Sequence, residues 1–120
     1  SEFIKVVLDT EGGRISVCGA LLRDRLRPRI VQIDDFIMNV NPRGCLVILR
    51  NKDVPGVIGK VGTFLGTQGL NIAEYMQARN TAGGQAMAVI SVDGRITSET
   101  LASLREDNDI LDVRSVFFGE

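Results

Sequence analysis

The chain has 120 residues, with 14 Lys plus Arg against 15 Asp plus Glu, a net charge of 14 − 15 = −1. That length supports one buried core, and two distant cysteines (Cys18, Cys45) with no histidine exclude a Cys/His zinc site, a His general base and a dithiol redox motif. Near-neutral charge, 5% aromatics and no tryptophan argue against nucleic acid. No apolar run of about 18 residues offers a membrane span, and no basic stretch leads into an apolar one as in a signal peptide, so no membrane partner and a cytoplasmic location are expected.

Residues 3–8 (FIKVVL) form a β-branched run, and Thr10, Glu11, Gly12 and Gly13 signal a turn. Ile15 and Val17 alternate with Arg14, Ser16 and Cys18 through residues 14–22, which predicts a hairpin. Residues 29–33 and 36–40 predict a second strand pair around Asp34 and Asp35. Asn41, Pro42, Arg43 and Gly44 mark the best boundary, dividing a β-rich segment (1–43) from residues 44–120.

Residues 45–49 (CLVIL) are continuously apolar, as in a strand buried on both faces. Asp53 offers an N-cap and Pro55 suits the first turn of the helix that follows. Its apolar stripe is Val57, Ile58, Val61, Phe64 and Leu65, and Gly66 and Gly69 supply the stop. Residues 70–79 and 85–92 read as strands, with a turn at 81–84. Thr97 is positioned to cap a second helix, with Ile96 and Leu101 as a hydrophobic staple and Leu101 and Leu104 buried. Residues 107–109 end it, and 110–118 form a last strand. The order β-α-β-β-α-β predicts an α+β, ferredoxin-like fold behind an N-terminal antiparallel β segment.

Three features carry candidate chemistry. Gly59, Gly62 and Gly66 fall at i, i+3 and i+7 on one helix face, at a cost of about 2–3 kcal/mol against alanine. Close packing within the chain and close approach of a ligand or second chain both account for them. Residues 51–56 join a strand end to a helix N-terminus, where free N–H groups and the helix dipole favour an anion. Asn51, Asp53 and Asn71 bring short polar side chains there, although a cap at Asp53 and a turn at Asn71 fit the same spacing. Arg23, Arg25, Arg27 and Arg29 occupy alternate positions, so an extended chain would present them on one face to a phosphate or other anion, or to solvent as a basic edge. Cys18 and Cys45 are expected to be small buried hydrophobes, and Lys5 and Lys60 surface charges.

The string at 51–66 (NKDVPGVIGKVGTFLG), followed by Gly69, Leu70, Asn71, Ile72 and Ala73, resembles the ACT domain. This is a βαββαβ regulatory module on enzymes of amino-acid metabolism. Met76, Gln77, Ala78 and Arg79, then residues 83–87 (GGQAM) and Ser91, Val92 and Asp93, narrow the resemblance. They are similar to the C-terminal end of the D-3-phosphoglycerate dehydrogenase family, over essentially all of 44–119. Residues 28–34 (PRIVQID) and Phe36 resemble the segment that closes an intervening, allosteric substrate-binding domain in long members of that family.

The resemblance implies a non-catalytic regulatory fragment controlled by L-serine, forming a homodimer or higher oligomer through ACT sheet edges. Its effector site would comprise Asn51, Asp53, Val54, Pro55, Gly56, Val57, Ile58 and Asn71. Where serine-regulated members often carry a His and an Asn before the Pro-Gly pair, this chain has Asn51 and Asp53. The Asp53 charge is expected to attract a ligand ammonium and repel a carboxylate. No cofactor or metal is expected here. NAD and hydride transfer belong to the parent enzyme's other domains, since these residues hold no G-x-G-x-x-G opening. The alternatives are the regulatory region of an iron–sulfur L-serine dehydratase and a purely structural dimerisation module.

Overall fold

Among the described residues, the alternating apolar positions before Gly44 fold as an antiparallel meander, and the more apolar second part folds around a sheet enclosed on both faces. The computed structural model describes residues 2–10, 13–22, 27–80 and 84–119. Its elements are β1 (Glu2–Thr10), β2 (Gly13–Leu22), β3 (Arg27–Ile33), β4 (Phe36–Val40), β5 (Cys45–Lys52), α1 (Val57–Thr67), β6 (Ile72–Arg79), β7 (Gln85–Val92), α2 (Ser98–Arg105) and β8 (Ile110–Phe117). Two four-stranded antiparallel sheets result, ordered β1-β2-β3-β4 and β6-β7-β5-β8. The second order, with α1 and α2 as its crossovers, is ferredoxin-like and compatible with an ACT-like fold. Fold class and element order therefore follow the reading of the sequence.

The two sheets and the helices stack as three layers. Cys45, Val47 and Leu49 turn one face of β5 to Val57, Val61 and Leu65 of α1 and to Leu101 and Leu104 of α2. Leu46 and Ile48 turn the opposite face, with Met87 and Val89 of β7, onto Ile15, Val17, Ile30, Ile33, Phe36 and Val40 of the first sheet. That double enclosure explains the unbroken apolar run at 45–49, where strict alternation would be expected of a sheet wetted on one side. Arg114 of β8 fastens the layers. Its side chain, 8% exposed, lies 3.1 Å from Asp34 Oδ2 and 2.7 Å from Asp112 Oδ2, and it donates to the carbonyl of Arg14. Cys45 is buried, Cys18 is half-buried, and both thiols are free.

The ends of α1 depart from expectation at both its stop and its start, while α2 follows it. The Leu70 N–H bonds the Leu65 carbonyl at 3.1 Å and the Gly69 N–H bonds that of Gly66 at 3.0 Å, with Gly69 at φ +77°. This is a Schellman stop, so Gly69 ends α1 while Gly66 lies inside it. Thr97 caps α2 as expected, accepting from the Thr100 N–H at 3.1 Å. Asp53, however, does not cap α1. The N-cap is Gly56, at φ +92°, with no side-chain cap bond, and Pro55 lies in the turn before the helix rather than in its first turn. The chain needs the left-handed step at Gly56 to leave β5 and enter α1, which shifts the helix start beyond Asp53's reach.

Candidate functional site

The β5–α1 connection is held by backbone bonds to neighbouring turns. The Lys52 N–H donates to the Asp109 carbonyl at 2.8 Å, Asp53 N–H to Gly84 at 2.9 Å, and Val54 N–H to Lys52 at 2.9 Å. Residues 53–59 fold over this base and, with Gln77 and Arg79 from the end of β6, enclose a cleft of about 370 Å³. That size suits a small ligand. Val54 and Ile58 are apolar and about half exposed at its rim. The first turn of α1 carries neither an acidic residue nor a side-chain cap, so no side chain of the helix's own first turn offsets its positive end at the cleft.

Asp53 lines the cleft and is 9% exposed. Its Oδ2 lies 3.1 Å from Arg79 Nε, and Arg79 Nη2 is 3.3 Å from Oδ1. The negative charge expected at Asp53 is thus met within the cleft by Arg79. Neither Gln77 nor Arg79 stood out as a site residue in the sequence. The register that reveals them pairs Arg79 with Ala86 and Lys52 with Gln85, bringing the ends of β6 and β5 to the same end of β7.

The other expected residues separate into those that meet and those that do not. Val54, Pro55, Gly56, Val57 and Ile58 line the cleft with Asp53. Asn51 is 2% exposed inside β5, outside the lining, donating to the Lys52 carbonyl at 2.8 Å and leaving Oδ1 without a hydrogen bond. Asn71 lies at the far end of β6, about 26 Å from Arg79 along the strand at ~3.3 Å per residue. There it donates to Asp93 Oδ2 at 2.8 Å, beside a second cleft of about 440 Å³ lined in part by Arg43, Glu74, Asp93 and Phe117. One copy of the chain therefore does not join Asn71 to residues 53–58. Of the arginine set, Arg23 and Arg25 lie outside the described residues. Arg27 is exposed, and Arg29 Nε is bound to Asn39 Oδ1 at 2.7 Å.

Lys60, one turn into α1, is exposed but not a free charge. It bridges Asp107 and Asp109 at 2.9 Å each. The hydrogen bonds it donates to Asp109 and then Asp107 hold its ammonium above its ordinary pKa, and the bond Asp107 accepts from Lys60 holds that carboxyl below the usual carboxylate value. Among the described residues no group of three or more acidic or sulfur side chains could hold a metal ion, and no helix is long and apolar enough to cross a membrane.

Comparison with known proteins gives this geometry a context. No family model matches the chain. D-3-phosphoglycerate dehydrogenase of Methanocaldococcus jannaschii is 30% identical over 110 residues, 92% of this chain and 21% of that protein. The Synechocystis enzyme of the same name is 33% identical over 104 residues, 87% of the chain and 19% of the relative. That of Bacillus subtilis is 35% identical over 88 residues, 73% and 17%. The chain is similar to one portion of D-3-phosphoglycerate dehydrogenase. It spans about a fifth of the length of these curated relatives, as a C-terminal regulatory fragment of D-3-phosphoglycerate dehydrogenase would.

Proposed function

We propose that the chain is a regulatory region of a D-3-phosphoglycerate dehydrogenase, and that it binds L-serine between two copies of itself. The observation that carries this reading is the position of the cleft and of Asn71 at opposite ends of β6, an edge strand of its sheet. An edge strand invites pairing. Antiparallel pairing of two β6 edges about a two-fold axis would set Asn71 of one copy beside residues 53–59 of the other. Helix α1 supports the same arrangement. A Cβ at Gly59 or Gly66 would meet nothing within 4 Å, so packing within the chain does not account for those glycines. Ile58, beside them, is 53% exposed.

Serine bound at such a junction would favour one arrangement of the pair and, by linkage, bias the domains attached to it. Oxidation of 3-phosphoglycerate with NAD would belong to those other domains, in a cytoplasmic enzyme of serine synthesis. The test is thermal unfolding with each amino acid at millimolar concentration, on wild type and Asn71→Ala, with mass measured by light scattering. A ligand at about 100 times its Kd stabilises by roughly 2.7 kcal/mol, a shift of several degrees. A shift with L-serine, lost in Asn71→Ala, and a dimeric mass are the expected results. A dimer indifferent to every amino acid would leave a structural module, and a monomer would remove the shared site.

A further inference from the structure

We infer that Arg79 is the carboxylate anchor of the cleft, and that Asp53 and Arg79 exchange partners when a zwitterionic amino acid enters; this rests on the reading of residues 53–59 as an amino-acid site. Asp53 and Arg79 are the charged side chains lining the cleft among the described residues. They differ sharply in exposure, 9% for the carboxylate and 58% for the guanidinium. Asp53 is thus a fixed, nearly buried anion, covered by the end of a long and mobile cation. Its Oδ2 is shielded from water and accepts no hydrogen bond, although Arg79 Nε lies 3.1 Å away. The contact neutralises charge and leaves acceptor capacity on that oxygen unused.

A ligand ammonium supplies what that oxygen lacks, three N–H donors on a compact cation. Taking Arg79's place on Asp53 releases the guanidinium, which has the exposure and length to swing onto the ligand's carboxylate. The N-terminus of α1, which has no side-chain cap, adds a second positive pole to the cleft. An α-amino acid therefore breaks one ion pair and makes two. A lone amine exchanges one pair for one. A lone carboxylate gains the guanidinium but strands Asp53 as a buried, unpaired charge. The pair thus selects molecules carrying both groups and rejects those carrying one.

The experiment is titration calorimetry of the whole chain with L-serine, with serinol (which lacks the carboxylate) and with glycerate (which lacks the ammonium). Wild type should bind L-serine more than tenfold tighter than either analogue. R79Q, folded to the same unliganded melting temperature within a few degrees, should lose at least tenfold for L-serine and bring serine and serinol within about threefold of each other. D53N should weaken L-serine and serinol together while improving glycerate relative to both, which tests the exchange independently should R79Q fail to fold. Serine affinity in R79Q within twofold of wild type, or an unchanged serine-to-serinol ratio, overturns the anchor while leaving the amino-acid site standing. If wild type binds no amino acid, the site reading falls and this inference falls with it.

Discussion

The tie between the two sheets makes a quantitative prediction. Arg114 is nearly buried, and its two carboxylates, Asp34 and Asp112, are 28% and 26% exposed. Either aspartate alone can balance the guanidinium. Asp34→Asn keeps an amide oxygen for the Ser16 N–H, which Asp34 Oδ1 now accepts at 3.1 Å, and removes one of two charges; about 1 kcal/mol is expected. Asp112→Asn should cost about the same. Together the substitutions leave a buried cation with no counter-charge, a change worth about 3–5 kcal/mol. The double variant should therefore exceed the sum of the singles by about 1–3 kcal/mol, within the range seen for groups sharing one network. Urea unfolding at one fixed protein concentration measures all four corners of the cycle, with equal slopes required for the comparison. Additivity within about 0.5 kcal/mol would refute the claim that Arg114 needs one of these charges to hold the layers together.

Gly59→Ala and Gly66→Ala should each stabilise an isolated chain by about 1 kcal/mol, because the added methyl meets open space and helix propensity improves. The same variants should weaken self-association if a second copy packs on that face; dilution followed by light scattering reads it, and an undisturbed dimer would argue for pairing elsewhere. Lys60→Met should let the Asp107 pKa return towards its ordinary value of 3.8, followed by NMR of the carboxyl carbon. Because the folded-state pKa of Asp107 is depressed, its stabilising contribution is present above the unfolded value and lost as pH falls through the folded one, so the wild-type advantage over Lys60→Met should shrink in acid. An Asp107 titration unmoved by the substitution would contradict the bridge.

What could be read from the sequence was what local chemistry decides. Residues 45–49 announced a strand covered on both faces, and Thr97, with Ile96 and Leu101, announced a capped and stapled helix. These signals act over a few residues and do not depend on where the chain goes next. Asp53 showed the limit. It is a good capping residue at a plausible distance, yet the left-handed step at Gly56 moved the helix start, and Arg79, 26 positions away in sequence, took the carboxylate. No short-range pattern links those two residues. Only the pairing of β7 with both β5 and β6 brings them together. Asn71 shows the limit in the other direction: its nearness to α1 in sequence suggested nearness to the helix start within one copy, and the fold places it at the far end of β6 instead. A helix that crosses the sheet returns the chain to the opposite end.

The same topology constrains how a regulatory signal could leave the cleft. β5 runs from the Asp53 turn through the middle of the molecule, with helices packed on one face and the first sheet on the other. A core so enclosed yields little to a small ligand at its end, since close-packed interiors repack between discrete arrangements rather than bend. The first turn of α1 and the end of β6 are different: they are exposed, and they border an unpaired strand edge. Under the proposed function, occupancy of the cleft would therefore act on how two copies sit across β6, by strengthening or splaying that junction, while each three-layer body moves as a unit. Gly59 and the Asp53–Arg79 pair lie on that border. Arg114 lies across the molecule from it, between the sheets, where its task is to keep each body rigid enough for the junction to be the part that moves.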